Sequence, residues 1–323
     1  MAEFAPRLDA ILGGAPRQVE ILPFTRELEV TPAQLANIEG AYYSRDIWEG
    51  TSKSEVSPAA AVFWKIIEPA PKLQWLSVFS SGTDQKQYQA QIQRGIRLTT
   101  GAGAQAESVA IAAVAGLLAL ARCVPYWLAA QQRRTWAPLV GAALPPDLDG
   151  QTAVIVGTGH IGKAIARVLH AVGMKTIGIR RRAAPVEHFD QVSELSALDG
   201  LLPQCDWLVL ACPLTAETRN LMSAQRLALL PRTAGLVNIA RGEVVDEAAL
   251  ADALGGARLR CAYLDVFTTE PLAAASPLWA LPNVLISPHN AGGSTGTYAR
   301  GVEIFLRNLD AYLRGRPLEN EAA

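Results

Sequence analysis

The chain of 323 residues is half apolar and 18% charged, with a net charge of −1. That composition excludes a disordered protein and a broad cationic field for nucleic acid or anionic lipid, and the length fits two domains of ordinary size. Four cysteines, Cys123, Cys205, Cys212 and Cys261, lie far apart without a CxxC pair, which argues against a zinc site or disulfide framework and for reduced thiols. The opening MAEFAPRLDA lacks the basic-then-apolar order of a signal peptide, and the longest apolar stretch, Val109 to Ala121, is too short to span a bilayer. A cytoplasmic protein with no metal, nucleic acid or membrane partner is expected.

In the first hundred residues Val19–Leu22, Gly40–Tyr43, Trp75–Phe79 and Ile96–Thr99 read as short strands. Thr31-Pro32 combines an N-cap with proline at the first helical position and opens Ala33–Ile38. Ala59–Ile67 is a mostly apolar helix that stops at Glu68-Pro69. Strands alternating with helices predict a parallel sheet covered on both faces. Tyr42, Tyr43, Arg45 and Trp48 are either an ordinary aromatic edge or the wall of a substrate side-chain pocket.

After a break at Gly101–Gly103, Glu107 to Leu120 reads as a long helix rich in Ala and Leu, and a second amphipathic stretch ends near Trp136. Pro138–Gly150 has the clearest linker composition. Strands are then expected at Ala153–Val156, Thr176–Ile179, Trp207–Ala211, Gly235–Asn238, Arg260–Leu264 and Val284–Ser287, before a final helix, Thr297–Leu313, with Gly315 as its C-cap glycine. Trp136 and Trp279 are expected in the core rather than bordering a cleft.

TAVIVGTGHIG, Thr152 to Gly162, places Gly157, Gly159 and Gly162 in G-x-G-x-x-G between a buried strand and an amphipathic helix. The first glycine permits the tight turn, the second lets backbone approach a pyrophosphate, and the third lets helix pack on strand. The helix N-terminus presents free amides to phosphates. The next strand ends in Arg180-Arg181-Arg182 with no acid before Glu187. An acid at this selectivity position would bond a ribose 2′-hydroxyl, whereas guanidinium forks pair with a 2′-phosphate. The run is either a solvated basic turn or a 2′-phosphate site, and its position favours NADP(H), with NAD(H) second.

Three later stretches end strands in polar residues: NIARG (Asn238–Gly242), LDVFTTEP (Leu264–Pro271) and ISPHN (Ile286–Asn290). In an open parallel sheet such strand ends meet at the ligand crevice. Together with GTGHIG, CPLTAETRN (Cys212–Asn220), NIARGEVVDEAAL (Asn238–Leu250) and SPHNAG (Ser287–Gly292), the chain resembles the D-isomer-specific 2-hydroxyacid dehydrogenase family over nearly its whole length, in its glyoxylate/hydroxypyruvate reductase-like branch. SSGTD (Ser80–Asp84) is similar to the family's substrate loop, with serine where glycine is common.

The resemblance implies an α/β fold of two doubly wound parallel-sheet domains. A Rossmann coenzyme domain, residues 99–291, is inserted into a flavodoxin-like substrate domain, residues 1–98 with 292–323. It implies that Arg241 holds the carboxylate of a small 2-keto acid, that His289 is the proton donor in reduction, and that Glu270 hydrogen-bonds and orients the imidazole. Ser81, Gly82 and Thr83 would complete the carboxylate pocket. His160 and Ile161 in the glycine loop, Cys212, Pro213, Ile239, Ala240, Asp265 and Gly292 would border the coenzyme, with Asp265 contacting the nicotinamide amide. A homodimer formed through the long helix is implied too. Two other activities share the superfamily. A formate dehydrogenase carries glutamine where this chain has Glu270, and a dinucleotide-sensing corepressor would bind without turnover.

Overall fold

The computed structural model describes residues 2–48 and 56–322. The chain divides into two compact units, residues 1–105 with 294–323 and residues 106–293, against the expected divisions at 98/99 and 291/292. The linker-like segment 138–150 therefore lies inside the second unit, where Gly141–Ala143 forms a 3-10 turn. Among the described residues no single helix is long and apolar enough to cross a membrane.

In the second unit seven strands form one parallel sheet. They are β4 (Thr152–Val156), β5 (Lys175–Arg180), β6 (Gln191–Glu194), β7 (Trp207–Leu210), β8 (Gly235–Asn238), β9 (Cys261–Leu264) and β10 (Val284–Ile286), in the order β10-β9-β8-β7-β4-β5-β6. Alternation along each strand divides its apolar residues between two cores. Ala153, Ile155, Trp207, Val209 and Val237 pack beneath the helices Ala106–Ala121 and His160–Ala171. Val154, Val156, Leu208, Leu210 and Leu236 face the opposite core, with Leu250 and Leu254 of the helix Glu247–Gly255. A sheet buried on both faces explains the near-continuous apolar strands. Strand order reverses between β4 and β7, the point at which such sheets open a ligand crevice.

The first unit carries a three-stranded parallel sheet, β1 (Gly40–Tyr43), β2 (Trp75–Val78) and β3 (Arg97–Thr100), in that order. One face packs on the helices Pro58–Ile67 and Lys86–Gln93 through Leu76, Val78, Phe63, Trp64 and Tyr88. The other meets Leu309 and Leu313 of the helix Thr295–Leu313, with Trp75 stacked near Phe305 and Tyr312. That helix ends in a Schellman turn. Gly315 takes φ +64°, its amide bonds Tyr312 O, and the Arg316 amide bonds Ala311 O. The final residues lie antiparallel to β3, with bonds from the Ala322 amide to Leu98 O and from the Thr100 amide to Asn320 O.

Several expectations need correction. Val19–Leu22 is irregular rather than a strand. Pro16 and Pro23 flank it, and proline withholds the donors a ladder needs. The helix opened by Thr31 spans only Pro32–Leu35. The helix Ala5–Gly13 and the strand β6, whose sequence QVSE shows neither alternation nor an apolar run, carry no clear periodic signal. Trp136 and Trp279 are not core residues. They are 92% and 53% exposed.

Candidate active site

The glycine loop is shaped by backbone contacts that admit no side chain. Gly157, directly after β4, has φ +105°, and a β-carbon there would lie 2.6 Å from the carbonyl oxygen of Ala211 beyond β7. A β-carbon on Gly162 would overlap the Gly157 carbonyl, so helix and strand approach only because that residue is glycine. Gly159 differs: a β-carbon there would meet nothing within 4 Å. No packing among the described residues requires glycine at this position. The open space lies at the start of the helix His160–Ala171, whose N-cap offers no side-chain hydrogen bond. Uncapped helix amides beside an empty approach fit a dinucleotide pyrophosphate. His160 is exposed at the first helical position and Ile161 is half-buried behind it.

Arg180, Arg181 and Arg182 are exposed at and beyond the end of β5. Arg181 approaches Glu217 at 3.5 Å between two exposed side chains. Neither Arg180 nor Arg182 forms an ion pair among the described residues, leaving two guanidiniums for an anion. Across the switch point, Cys212 is buried and its thiol is pushed up to about 11 by desolvation. It is a neutral wall beside Pro213 rather than a nucleophile. Ile239 and Ala240, beyond β8, are buried as well.

Arg241 follows them on a turn built by Asn238. The buried amide of Asn238 accepts from the Ala240 N–H at 3.1 Å through Oδ1 and donates to Arg241 O at 3.0 Å through Nδ2. The Arg241 guanidinium donates to Ala240 O at 2.7 Å. Gly242 fits against the Phe267–Thr268 backbone, where a β-carbon would overlap. This contact joins the turn after β8 to the segment carrying Glu270.

Glu270 and His289 meet. His289 Nδ1 lies 2.7 Å from Glu270 Oε2, with side chains 38% and 9% exposed. The other carboxylate oxygen accepts from the Phe267 N–H at 3.0 Å. Glu270 is thus held from both ends, which fixes the imidazole tautomer and turns Nε2 to other work. His289 itself has φ +50°, a left-handed conformation rare for a residue with a β-carbon.

Asp265 has partners within the chain that the resemblance did not imply. It is buried, and its carboxylate accepts from the Ser287 hydroxyl at 2.5 Å, the Asn290 N–H at 2.9 Å and the Ala291 N–H at 3.1 Å. It anchors the turn that presents His289. Asn238 and Asp265 in this role escape sequence reasoning because they hold backbone groups that carry no residue signature, and Ser287 because the carboxylate its hydroxyl bonds belongs to Asp265, 22 residues before it. Gly292 lies two residues beyond Asn290, in the same turn region.

In the first unit, Ser81, Gly82 and Thr83 form a loop after β2. Ser80 Oγ donates to Gly82 O at 3.2 Å and Gln89 Nε2 to Thr83 O at 2.8 Å. Tyr43 is core, while Tyr42 stacks on Phe305 at 4.1 Å and Trp48 lies 5.6 Å from Phe79. Arg45 opens a one-turn helix, Arg45–Trp48. His170 and His188 stay outside this constellation, facing Asp190 and Glu187 respectively.

Residues 114–291 match the family model described as "D-isomer specific 2-hydroxyacid dehydrogenase, NAD binding domain". A glyoxylate reductase of Korarchaeum cryptofilum is 36% identical over 260 residues, 78% of this chain and 76% of that protein. A D-isomer specific 2-hydroxyacid dehydrogenase of Xanthobacter autotrophicus Py2, solved with NADPH and MES, superposes with a TM-score of 0.77 at 28% identity. It covers 100% of this chain and 94% of that one. An NADPH-dependent glyoxylate/hydroxypyruvate reductase of Sinorhizobium meliloti, solved with NADP and malonate, superposes with a TM-score of 0.72 at 28% identity over 98% and 93%.

Proposed function

The chain belongs to the D-isomer-specific 2-hydroxyacid dehydrogenase family, and from that premise we propose that it reduces a small 2-keto acid of the glyoxylate or hydroxypyruvate class, preferring NADP(H) over NAD(H). The product is the 2-hydroxy acid, the D-isomer where it is chiral. The observation that carries the reading is the Glu270–His289 pair at 2.7 Å, on strand ends of the same sheet that presents the glycine loop and Arg241. When bound, the reduced dinucleotide supplies the hydride to C2 of the keto acid. Arg241 binds the substrate carboxylate and polarises the keto oxygen, a task for which the planar guanidinium fork is suited. The His289 imidazolium, held through Nδ1 by Glu270, gives its Nε2 proton to that oxygen, so that hydride and proton together convert C=O to CH–OH.

NADP(H) preference is supported by the guanidiniums at the end of β5 and by the absence of an acid there. In the test, purified protein oxidises NADPH faster than NADH with glyoxylate, hydroxypyruvate or pyruvate. Turnover mainly with NADH keeps the enzyme and overturns the preference. Tight dinucleotide binding without turnover on any 2-keto acid replaces it with a sensor. Arg180→Asp is expected to weaken NADPH by about tenfold or more while leaving NADH nearly unchanged, since one charge-assisted bond contributes roughly 1.5–3 kcal/mol. Equal losses for both dinucleotides would show that the 2′-phosphate is bound elsewhere.

A second copy of the chain is proposed to cover the exposed apolar residues Ile111, Trp127, Leu128, Trp136, Val140 and Leu144, which follow one another along the helices Ala106–Ala121 and Val124–Gln132 and the segment after them. Sedimentation should give a dimer, and Leu128→Asp a monomer. A monomeric wild-type protein would sink this assignment. Four free cysteines, three of them buried, suit a reducing cytoplasm.

A further inference from the structure

Tyr263 lies on β9, two residues before Asp265, and its ring is buried. The ring occupies the hollow left by Gly116 of the helix Ala106–Ala121, where a β-carbon would overlap it. Packing alone explains an aromatic ring there, but it does not explain the hydroxyl. That hydroxyl lies 2.8 Å from Ser287 Oγ, which lies in turn 2.5 Å from Asp265 Oδ1. An ionised carboxylate only accepts hydrogen bonds, so Ser287 donates to Asp265 and its oxygen is left to accept from Tyr263. The chain of bonds therefore has one direction, from phenol to hydroxyl to carboxylate.

The end of that chain is the turn carrying His289. Asp265 receives the amides of Asn290 and Ala291 with its carboxylate, and its backbone oxygen receives the His289 amide at 2.7 Å. His289 holds φ +50° inside this frame, a conformation that persists only where the surroundings impose it. We propose that Tyr263 is a positioning residue for His289, acting through Ser287 and Asp265 to hold the 287–291 turn in the form that brings Nδ1 to Glu270. Desolvation raises the Tyr263 phenol above its ordinary value, which keeps it a donor over the working pH range. The assignment rests on His289 as proton donor in keto-acid reduction.

Tyr263→Phe leaves the ring in its hollow and removes only the hydroxyl. With saturating NADPH and glyoxylate, kcat is expected to fall about three- to tenfold, the effect of one lost hydrogen bond in a coupled network. The KM values for keto acid and NADPH and the melting temperature should hardly move. Ser287→Ala should lower kcat to a similar degree, and the double variant should be no slower than Ser287→Ala alone, because both remove the same chain. An unchanged kcat in Tyr263→Phe overturns the proposal, as does a loss that lies wholly in KM or losses that multiply in the double variant.

A second readout needs no turnover. The imidazole nitrogen resonances of His289, assigned by their disappearance in His289→Gln, report the bond to Glu270. They should shift in Tyr263→Phe, while those of His160, His170 and His188 stay in place. Should the wild-type protein reduce no 2-keto acid, the reductase assignment falls, and these resonances alone decide whether Tyr263 positions His289. Unmoved resonances would overturn it.

Discussion

Replacing His289 with Gln is expected to lower kcat for keto-acid reduction by about a hundred- to ten-thousand-fold, the contribution of a positioned general acid, with dinucleotide affinity nearly unchanged. Glutamine retains a donor of similar reach but cannot carry a transferable proton, so the loss belongs to proton transfer rather than to packing. Glu270→Gln should cost less in rate. The Glu270 carboxylate lies 2.7 Å from Nδ1 and holds the ring in one orientation and tautomer, so a glutamine there should lower kcat while leaving NADPH affinity nearly unchanged. Steady-state kinetics in both directions, with NADPH affinity followed by fluorescence, check this. A Glu270→Gln kcat equal to that of the wild type would remove Glu270 from the mechanism.

Arg241→Ala is expected to be nearly as severe but to divide its effect differently. Breaking one partner of a hydrogen-bonded charge pair costs about 2–5 kcal/mol, which corresponds to roughly 30- to several-thousand-fold in kcat/KM. Part of this should appear in KM, because the carboxylate is bound before reaction, and part in kcat, because the keto oxygen gains charge during it. Arg241→Lys should recover only a fraction, since a point charge cannot serve carboxylate and keto oxygen together. Asn238 sets the backbone of the turn through two bonds at 3.0 and 3.1 Å, and the guanidinium is tied to that turn by its bond to Ala240 O. Equal kcat/KM in Arg241→Ala and wild type would require another carboxylate anchor.

Sequence periodicity reads well where local pattern and tertiary burial agree. β4, its glycine turn and the following helix are legible because an apolar run, the glycine spacing and an amphipathic helix occur within twenty residues. Apart from β6, the strands of the seven-stranded sheet are legible as apolar runs because the sheet is covered on both faces. Val19–Leu22 shares that apolar character, but flanking prolines decide against a ladder. Trp136 is expected inside on grounds of residue type, and type alone does not reveal that nothing among the described residues covers it.

The site shows a similar division. The order of the NIARG, LDVFTTEP and SPHN segments foretells that Glu270 and His289 share one sheet end, and the structure brings them to hydrogen-bond distance. The work of Asp265 is illegible because its partners are two amides and a hydroxyl 22 to 26 residues further on. Any residue supplies an amide, so no pattern marks it. Tyr263 is hidden for another reason. In sequence it is one apolar residue of a buried strand, and only the position of Ser287 shows that its hydroxyl has a partner.

Chain connectivity bears on how the protein is made. The first unit begins before residue 106 and is completed only by residues 294–323, so translation of the entire second unit intervenes. At ordinary elongation rates that interval is on the order of ten seconds or more, during which Trp75 lacks the stacking partners Phe305 and Tyr312 and the outer edge of β3 lacks the strand-like segment ending at Ala322. A nascent chain with an open apolar sheet face and an unpaired edge is a natural client for ribosome-associated chaperones. The second unit, continuous in sequence and with its own two cores, has no such wait.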